Sequence, residues 1–185
     1  MSVTIIVLLV IAAGVAGLLV CASTQPDDFR VERSVAINAP QSAIFPHLDG
    51  QKAFNVWNPF IEVDPAVKLD YNGPSRGVGS NCAWEGNSKV GNGEVEIVEI
   101  VSPERVCLRL RMVKPMACDN KVEFTLTPLG AATRVTWAMS GAQPFMGKLM
   151  SLFIDCDKMV GRQFDKGLAK LKTMAETLKI GRAHV

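Results

Sequence analysis

A chain of 185 residues is long enough for one domain with an appendage, since domains usually run to roughly 100–200 residues. With 48% hydrophobic and 21% charged residues it is neither disordered nor of low complexity. Its 20 Lys and Arg against 18 Asp and Glu leave a net charge of +2, which excludes the basic excess a nucleic-acid binder needs to neutralise phosphates.

Val3 to Val20 carries no charge. About eighteen apolar residues at 1.5 Å each span about 27 Å as a helix, close to the hydrocarbon thickness of a bilayer. Residues 1–22 are therefore expected to form a membrane anchor. A cleaved signal peptide or a lipidated leader is the rival reading. Against it, no Lys or Arg precedes the run, and the run exceeds the usual apolar core of a signal peptide. Ala22-Ser23 resembles a small-residue cleavage site and Leu18-Leu19-Val20-Cys21 a lipobox, although Val20 is bulkier than the residue expected there. Arg30 and Arg33 lean the domain toward the cytoplasmic side.

Residues 23–28 read as a polar linker, and the globular pattern starts at Phe29. Val31, Arg33, Val35 and Ile37 alternate as a strand that ends at Pro40. Gln41–Leu48, interrupted near Pro46, and Gln51–Val56 read as two small helices. Six strand segments follow, separated by turn signals: 67–71, 78–84, 94–101, 106–112, 121–127 and 133–139. In the later ones Val106, Leu108, Leu110, Met112, Val122, Phe124, Leu126, Val135, Trp137 and Met139 share one face. Arg109, Arg111, Lys121, Glu123, Thr125, Arg134 and Thr136 take the other, which gives an antiparallel sheet with one dry side.

From Pro144, apolar residues from Phe145 through Phe164 to Ala175 recur at three- and four-residue intervals. One amphipathic helix of about thirty residues is expected, laid across the dry face. Residues 179–185 break that pattern at Gly181 and read like the translation of a short-read sequencing adapter. They are set outside the domain of residues 29–178, and His184 is given no role. The five cysteines show no paired or metal-like spacing and read as buried free thiols.

This order of elements, an α+β arrangement of about seven strands and a long C-terminal helix, resembles the helix-grip fold of the SRPBCC superfamily. That superfamily holds START lipid-transfer domains and polyketide cyclases/dehydrases. The local wording agrees: Phe29-Arg-Val-Glu-Arg-Ser-Val-Ala-Ile-Asn-Ala-Pro at the opening, Trp57-Asn-Pro-Phe after the small helices, Gly77-Val-Gly and Trp84-Glu-Gly around a strand, and Thr133-Arg-Val-Thr-Trp-Ala-Met. Phe145-Met-Gly-Lys-Leu-Met and Asp157-Lys-Met-Val-Gly resemble membrane-anchored bacterial members. The resemblance implies a cavity between sheet and helix that takes a hydrophobic small molecule or lipid, with no cofactor. It leaves open two other functions found on this scaffold, a polyketide cyclase/dehydratase-like enzyme and a protein-interaction module that uses the outer sheet face.

Candidate lining residues are Trp57, Trp84, Phe124, Trp137, Met139, Phe145, Met159 and Phe164, an apolar set rich in adaptable Met and aromatic side chains. Catalytic chemistry is thin. Two histidines, His47 and His184, lie off the strands, and no nucleophile triad, phosphate loop or metal-ligand cluster appears. Glu85 is the best single polar candidate, with Asn81, Tyr71 and Arg109 behind it, and no catalytic residue is assigned. Lys158, Arg162, Lys166 and Lys170 form a basic row that reads as a solvated face balanced by Asp155, Asp157 and Asp165, or alternatively as a contact for anionic lipid.

Overall fold

The architecture follows from one sheet and the helix that crosses it. The structure, a computed structural model, describes residues 3–153 and 155–182, with side chains as far as Thr177. Helix α1 (Val3–Ser23) leads through Thr24–Asp27 into β1 (Asp28–Ile37), α2 (Gln41–Ile44), a 3₁₀ turn at Phe45–His47 and α3 (Gln51–Asn55). After a second 3₁₀ turn at Ile61–Val63 come β2 (Lys68–Asn72), β3 (Asn81–Glu85), β4 (Asn92–Val101), β5 (Arg105–Lys114), β6 (Cys118–Leu129) and β7 (Ala132–Ala142). Helices α4 (Phe145–Ser151) and α5 (Cys156–Arg182) close the chain. All neighbouring strands are antiparallel, in the order β1-β7-β6-β5-β4-β3-β2.

The register sorts the concave face into rows that cross the sheet. Arg33, Trp137, Phe124 and Val106 make one, and Val31, Met139, Val122, Leu108 and Ile97 the next. Beyond them lies the row Phe29, Gly141, Asn120, Leu110, Val95, Cys82 and Tyr71, and last Cys118, Met112, Gly93, Trp84 and Leu69. Because side chains alternate along each strand, all of these point to one side. Arg109, Lys121 and Arg134 face outward as the alternation predicts.

Helix α5 runs in the direction of β1. Asp157 near its start pairs with Arg33 at 2.7 Å, while Glu176 further on accepts from the Asn38 amide at 2.8 Å. It therefore covers the rows from Arg33 toward Ile37 and stops short of the row at Phe29. The first end-cap of the covered half is polar and local: the Thr133 hydroxyl donates to Ala39 O at 2.8 Å and the Gln41 amide to Leu126 O at 2.9 Å.

The single long helix expected from Pro144 is in fact two. The Ser151 hydroxyl donates to Lys148 O at 2.7 Å in the last turn of α4, and Asp155 caps α5 by accepting from the Lys158 amide at 3.0 Å. An aspartate that satisfies an otherwise orphaned amide starts a helix better than it continues one, so the apolar spacing runs on through a break in the backbone. At the other end α5 passes Gly181 and reaches Arg182, where a glycine costs only about 1 kcal/mol. The remainder of the tail, with His184, lies outside the described residues.

Asp155→Ala removes the cap and is expected to cost about 0.5–2 kcal/mol in urea unfolding. A change within error would show that the α4–α5 break is held by something other than this bond.

Candidate functional site

At the centre of the concave face the interior is filled by rings. Trp137 stacks on Phe164 of α5, with centroids 4.1 Å apart and planes 11° from parallel. Trp57, Phe124 and Phe54 meet Trp137 at 5.2–5.7 Å in tilted or edge-on contacts. Such pairs add about 0.5–1.5 kcal/mol each beyond burial. The approach needs Gly167: a Cβ there would stand 2.8 Å from Trp137 Cζ3, 3.0 Å from Pro59 and 3.3 Å from Trp57. Trp57 itself is held by its indole N–H, which donates to His47 O at 3.0 Å.

The eight side chains expected to line a cavity thus fall into three groups. Trp57, Phe124, Trp137 and Phe164 are buried and touch one another, forming a floor. Trp84 and Met139 are half-buried, Trp84 on the last row and Met139 among the buried Val31, Val122, Leu108 and Ile97. Phe145 and Met159 stand on α4 and α5 with 45% and 57% of their surface exposed. Past the floor, Phe29, Leu69, Tyr71, Trp84, Leu110 and Met112 are also only half-buried, although all point to the concave side. Val95, Cys82 and Asn120 of the same rows are buried, and Asn55 of α3 reaches over Tyr71 and Cys82, so what remains at the end of the sheet that α5 does not reach is a shallow, partly covered apolar groove. Periodicity marked Leu110 and Met112 as inward, but not that the helix stops before them.

Two buried polar atoms lie on this face without a partner among the described residues. Trp137 Nε1 is a donor, and Asn120 Oδ1 is an acceptor in the row between Gly141 and Leu110. Leaving such groups unpaired costs about 1–3 kcal/mol each. Nearer the β2 edge the Asn55 amide donates to the Tyr71 hydroxyl at 3.1 Å and lies 3.4 Å from Cys82 Sγ. Burial pushes the Cys82 and Cys107 thiols above their ordinary range, which keeps them protonated.

Of the four polar candidates, Tyr71 alone faces the groove. Trp84 and Cys82 point inward, so their neighbours Glu85 and Asn81 turn outward. Glu85 is exposed, and Asn81 donates to Glu94 at 3.3 Å. Arg109, between Leu108 and Leu110, pairs with Asp119 on the outer face. Two open hollows of about 730 and 740 Å³ lie along the strands near the groove end of the sheet, lined by outward residues such as Arg109, Asp119, Arg111 and Glu94 together with inward ones, Leu108 and Asn120 in the first and Trp84 and Met112 in the second. The hydrogen-bonded Arg109 guanidinium holds the Asp119 carboxyl below the usual carboxylate range.

The basic row on α5 is partly neutralised. Lys158 pairs with Asp155 at 2.9 Å and Lys170 with Glu62, whereas Asp157 and Asp165 turn to Arg33 instead. Gly161 makes room for that guanidinium, which a Cβ would overlap. The reading of five buried thiols also needs correction. Cys82 and Cys107 are buried, Cys118 is half-buried, and Cys21 and Cys156 are exposed. Among the described residues no cluster of His, Cys, Asp and Glu is arranged to hold a metal ion.

Residues 28–176 match the sequence profile of a family described as polyketide cyclase / dehydrase and lipid transport. No curated protein matches the chain. Among solved structures, protein CV1439 from Chromobacterium violaceum superimposes with a TM-score of 0.56 at 15% identity, over 82% of this chain and 99% of that one. The Aha1 dimer from Colwellia psychrerythraea gives 0.56 at 16%, over 80% and 96%. Protein Mll3558 from Rhizobium loti gives 0.55 at 19%, again over 80% and 96%. At these identities the likeness establishes the helix-grip fold.

Because the thiolate is the reactive form, iodoacetamide at about pH 8 is expected to alkylate exposed Cys156 well before Cys82 or Cys107. Peptide mass spectrometry over time reads the order, and equal rates would mean that the sheet around Cys82 and Cys107 opens readily. Trp137→Ala is expected to cost about 3–5 kcal/mol. A loss under about 1 kcal/mol in denaturant titration would contradict the packed floor.

Proposed function

The chain belongs to the polyketide cyclase/dehydrase and lipid-transport family, and from that premise we propose that it is a membrane-anchored binder of an amphiphilic lipid or other hydrophobic small molecule. The observation that carries this reading is the groove beyond the start of α5, an apolar surface on the concave face with an unpaired acceptor at Asn120. An apolar body would cover Leu69, Trp84, Leu110 and Met112, and a hydroxyl or other donor on it would answer Asn120 Oδ1. Small-molecule sites are built in this way, apolar with few polar groups that set orientation.

Anchoring rests on α1. An 18-residue window of it has a mean hydropathy of 3.0, and its 21 residues are exposed except for Ala22, so they need an apolar medium that the folded domain does not supply. At 1.5 Å per residue the helix is about 32 Å long, enough to span a bilayer. The cyclase/dehydratase alternative has less support: the polar groups nearest the groove are those of Tyr71, Asn55 and Asn120, which hold a ligand more readily than they move a proton.

Native mass spectrometry of the full chain, released from detergent, is expected to show a co-purifying apolar molecule. Met112→Glu, which sets a charge on the half-buried wall, should remove it while leaving the thermal transition close to that of the parent. A parent protein that carries no guest, and that fails to take up a fluorescent fatty acid added in excess, would end this reading.

A further inference from the structure

The groove, the end of the apolar helix and a band of exposed apolar side chains all lie at the same end of the sheet. Strand β1 starts four residues after α1, and Thr24–Asp27 can reach at most about 14 Å. β7 runs antiparallel to β1 and so ends there, which delivers α4; β5 ends and β6 begins there as well. Helix α4 packs against α1, and Ala22 is fully buried. Lys148, itself 9% exposed, pairs with Asp27 at 2.6 Å, and the Gln143 amide donates to Asp27 O at 2.6 Å. The start of α4 is thereby fixed to the last turn of the anchor.

Around this end the apolar residues point outward. Phe145, Met146, Met150 and Phe153 are 45%, 58%, 43% and 72% exposed, and Val113 and Met116 on the β5–β6 hairpin are 62% and 47% exposed. We propose that this rim, α4 with its following residues on one side and the β5–β6 hairpin on the other, seats on the bilayer that holds α1, so that the groove opens directly onto lipid. The inference rests on the anchored-binder reading above and adds which surface meets the membrane. The occupant is a lipid surface because α4 is pinned beside the point where the chain leaves its apolar helix. A rim at the end of a tether that short is already within reach of the headgroups and acyl boundary. Charge plays a small part. Lys68, Lys89 and Lys114 lie at this end without an ion pair among the described residues, but so do the carboxylates of Asp28 and Glu85. The docking is therefore carried by apolar contact, as for interfacial helices.

The test uses the full chain in phosphatidylcholine vesicles with brominated or ordinary acyl chains. Met146→Trp and Met116→Trp place probes on the two sides of the rim, and Leu129→Trp places one at the end of β6 by the β6–β7 turn, about 36 Å away along the strand. Brominated lipid is expected to remove most of the emission that the first two substitutions add to the parent, with little dependence on added salt, and to leave that of Leu129→Trp intact. Unquenched emission at Met146 and Met116, or equal quenching at Leu129, overturns the proposal. Flotation after an alkaline wash is measured in parallel. A chain that fails to float overturns the anchor reading itself, and a chain that floats with an unquenched rim overturns only this inference. Blue-shifted, unquenched emission at Met146 would assign the rim to contact between copies and equally overturn it.

Discussion

The whole arrangement depends on how closely α5 can lie against β1 and β7. Two glycines set that distance. At Gly167 the indole of Trp137 and the ring of Trp57 come to within van der Waals contact of the helix, and at Gly161 the Arg33 guanidinium passes across it to reach Asp157 and Asp165. A glycine inside a helix costs about 1 kcal/mol relative to alanine. Here each is offset by a contact no other residue permits, the ring stack with Phe164 and the ion pairs at the helix start. With both contacts made, the helix is fixed in position along the sheet, and the division between covered and uncovered rows is fixed with it.

From that division the molecule acquires two halves of different character. Under α5 and the small helices the rings of Trp57, Phe124, Trp137 and Phe164 leave a dense interior, and stability resides there. Beyond the start of α5 the same alternation continues, with Leu110, Met112 and Trp84 still directed inward but only half-buried, because α5 does not lie over them. The unpaired atoms of Asn120 and Trp137 belong to the concave side as well. The outer face differs in kind, because many of its charges are paired, across strands as Arg109 with Asp119 and Arg111 with Glu94 or along one strand as Lys121 with Glu123.

Much of this was legible in the residues. Alternation in 106–112, 121–127 and 133–139 identified the strands and their faces, because a half-buried sheet imposes period two on its sequence. Trp57, Phe124, Trp137 and Phe164 were recognisable as interior, but whether they line a space or fill it depends on the helix–sheet distance, which a hydrophobic pattern does not encode. The candidates Glu85, Asn81 and Arg109 went astray for a simpler reason, since each neighbours an inward residue and so must point outward. The exposure of Met159 and Phe145 was hidden because three- and four-residue spacing says which side chains share a stripe, not whether the stripe is covered. Gly161 and Gly167 were the available signal for close approach.

The break between α4 and α5 decides how much of the concave face is covered. Eleven residues from Phe145 to Asp155, if they continued α5 backward at 1.5 Å each, would extend it by about 16 Å. α5 crosses β1 obliquely, since Asp157 to Glu176 runs about 28 Å while Arg33 to Asn38 runs about 17 Å. The extension would therefore advance about three strand residues along β1, from Arg33 to Arg30, over the row of Val31 and toward that of Phe29. Asp155 caps α5 where it starts, and the Lys148–Asp27 pair holds the separate α4 beside the end of α1. The capped helix start thus leaves the apolar surface at that end less covered, and it places the displaced apolar residues of α4 beside the last turn of the apolar helix.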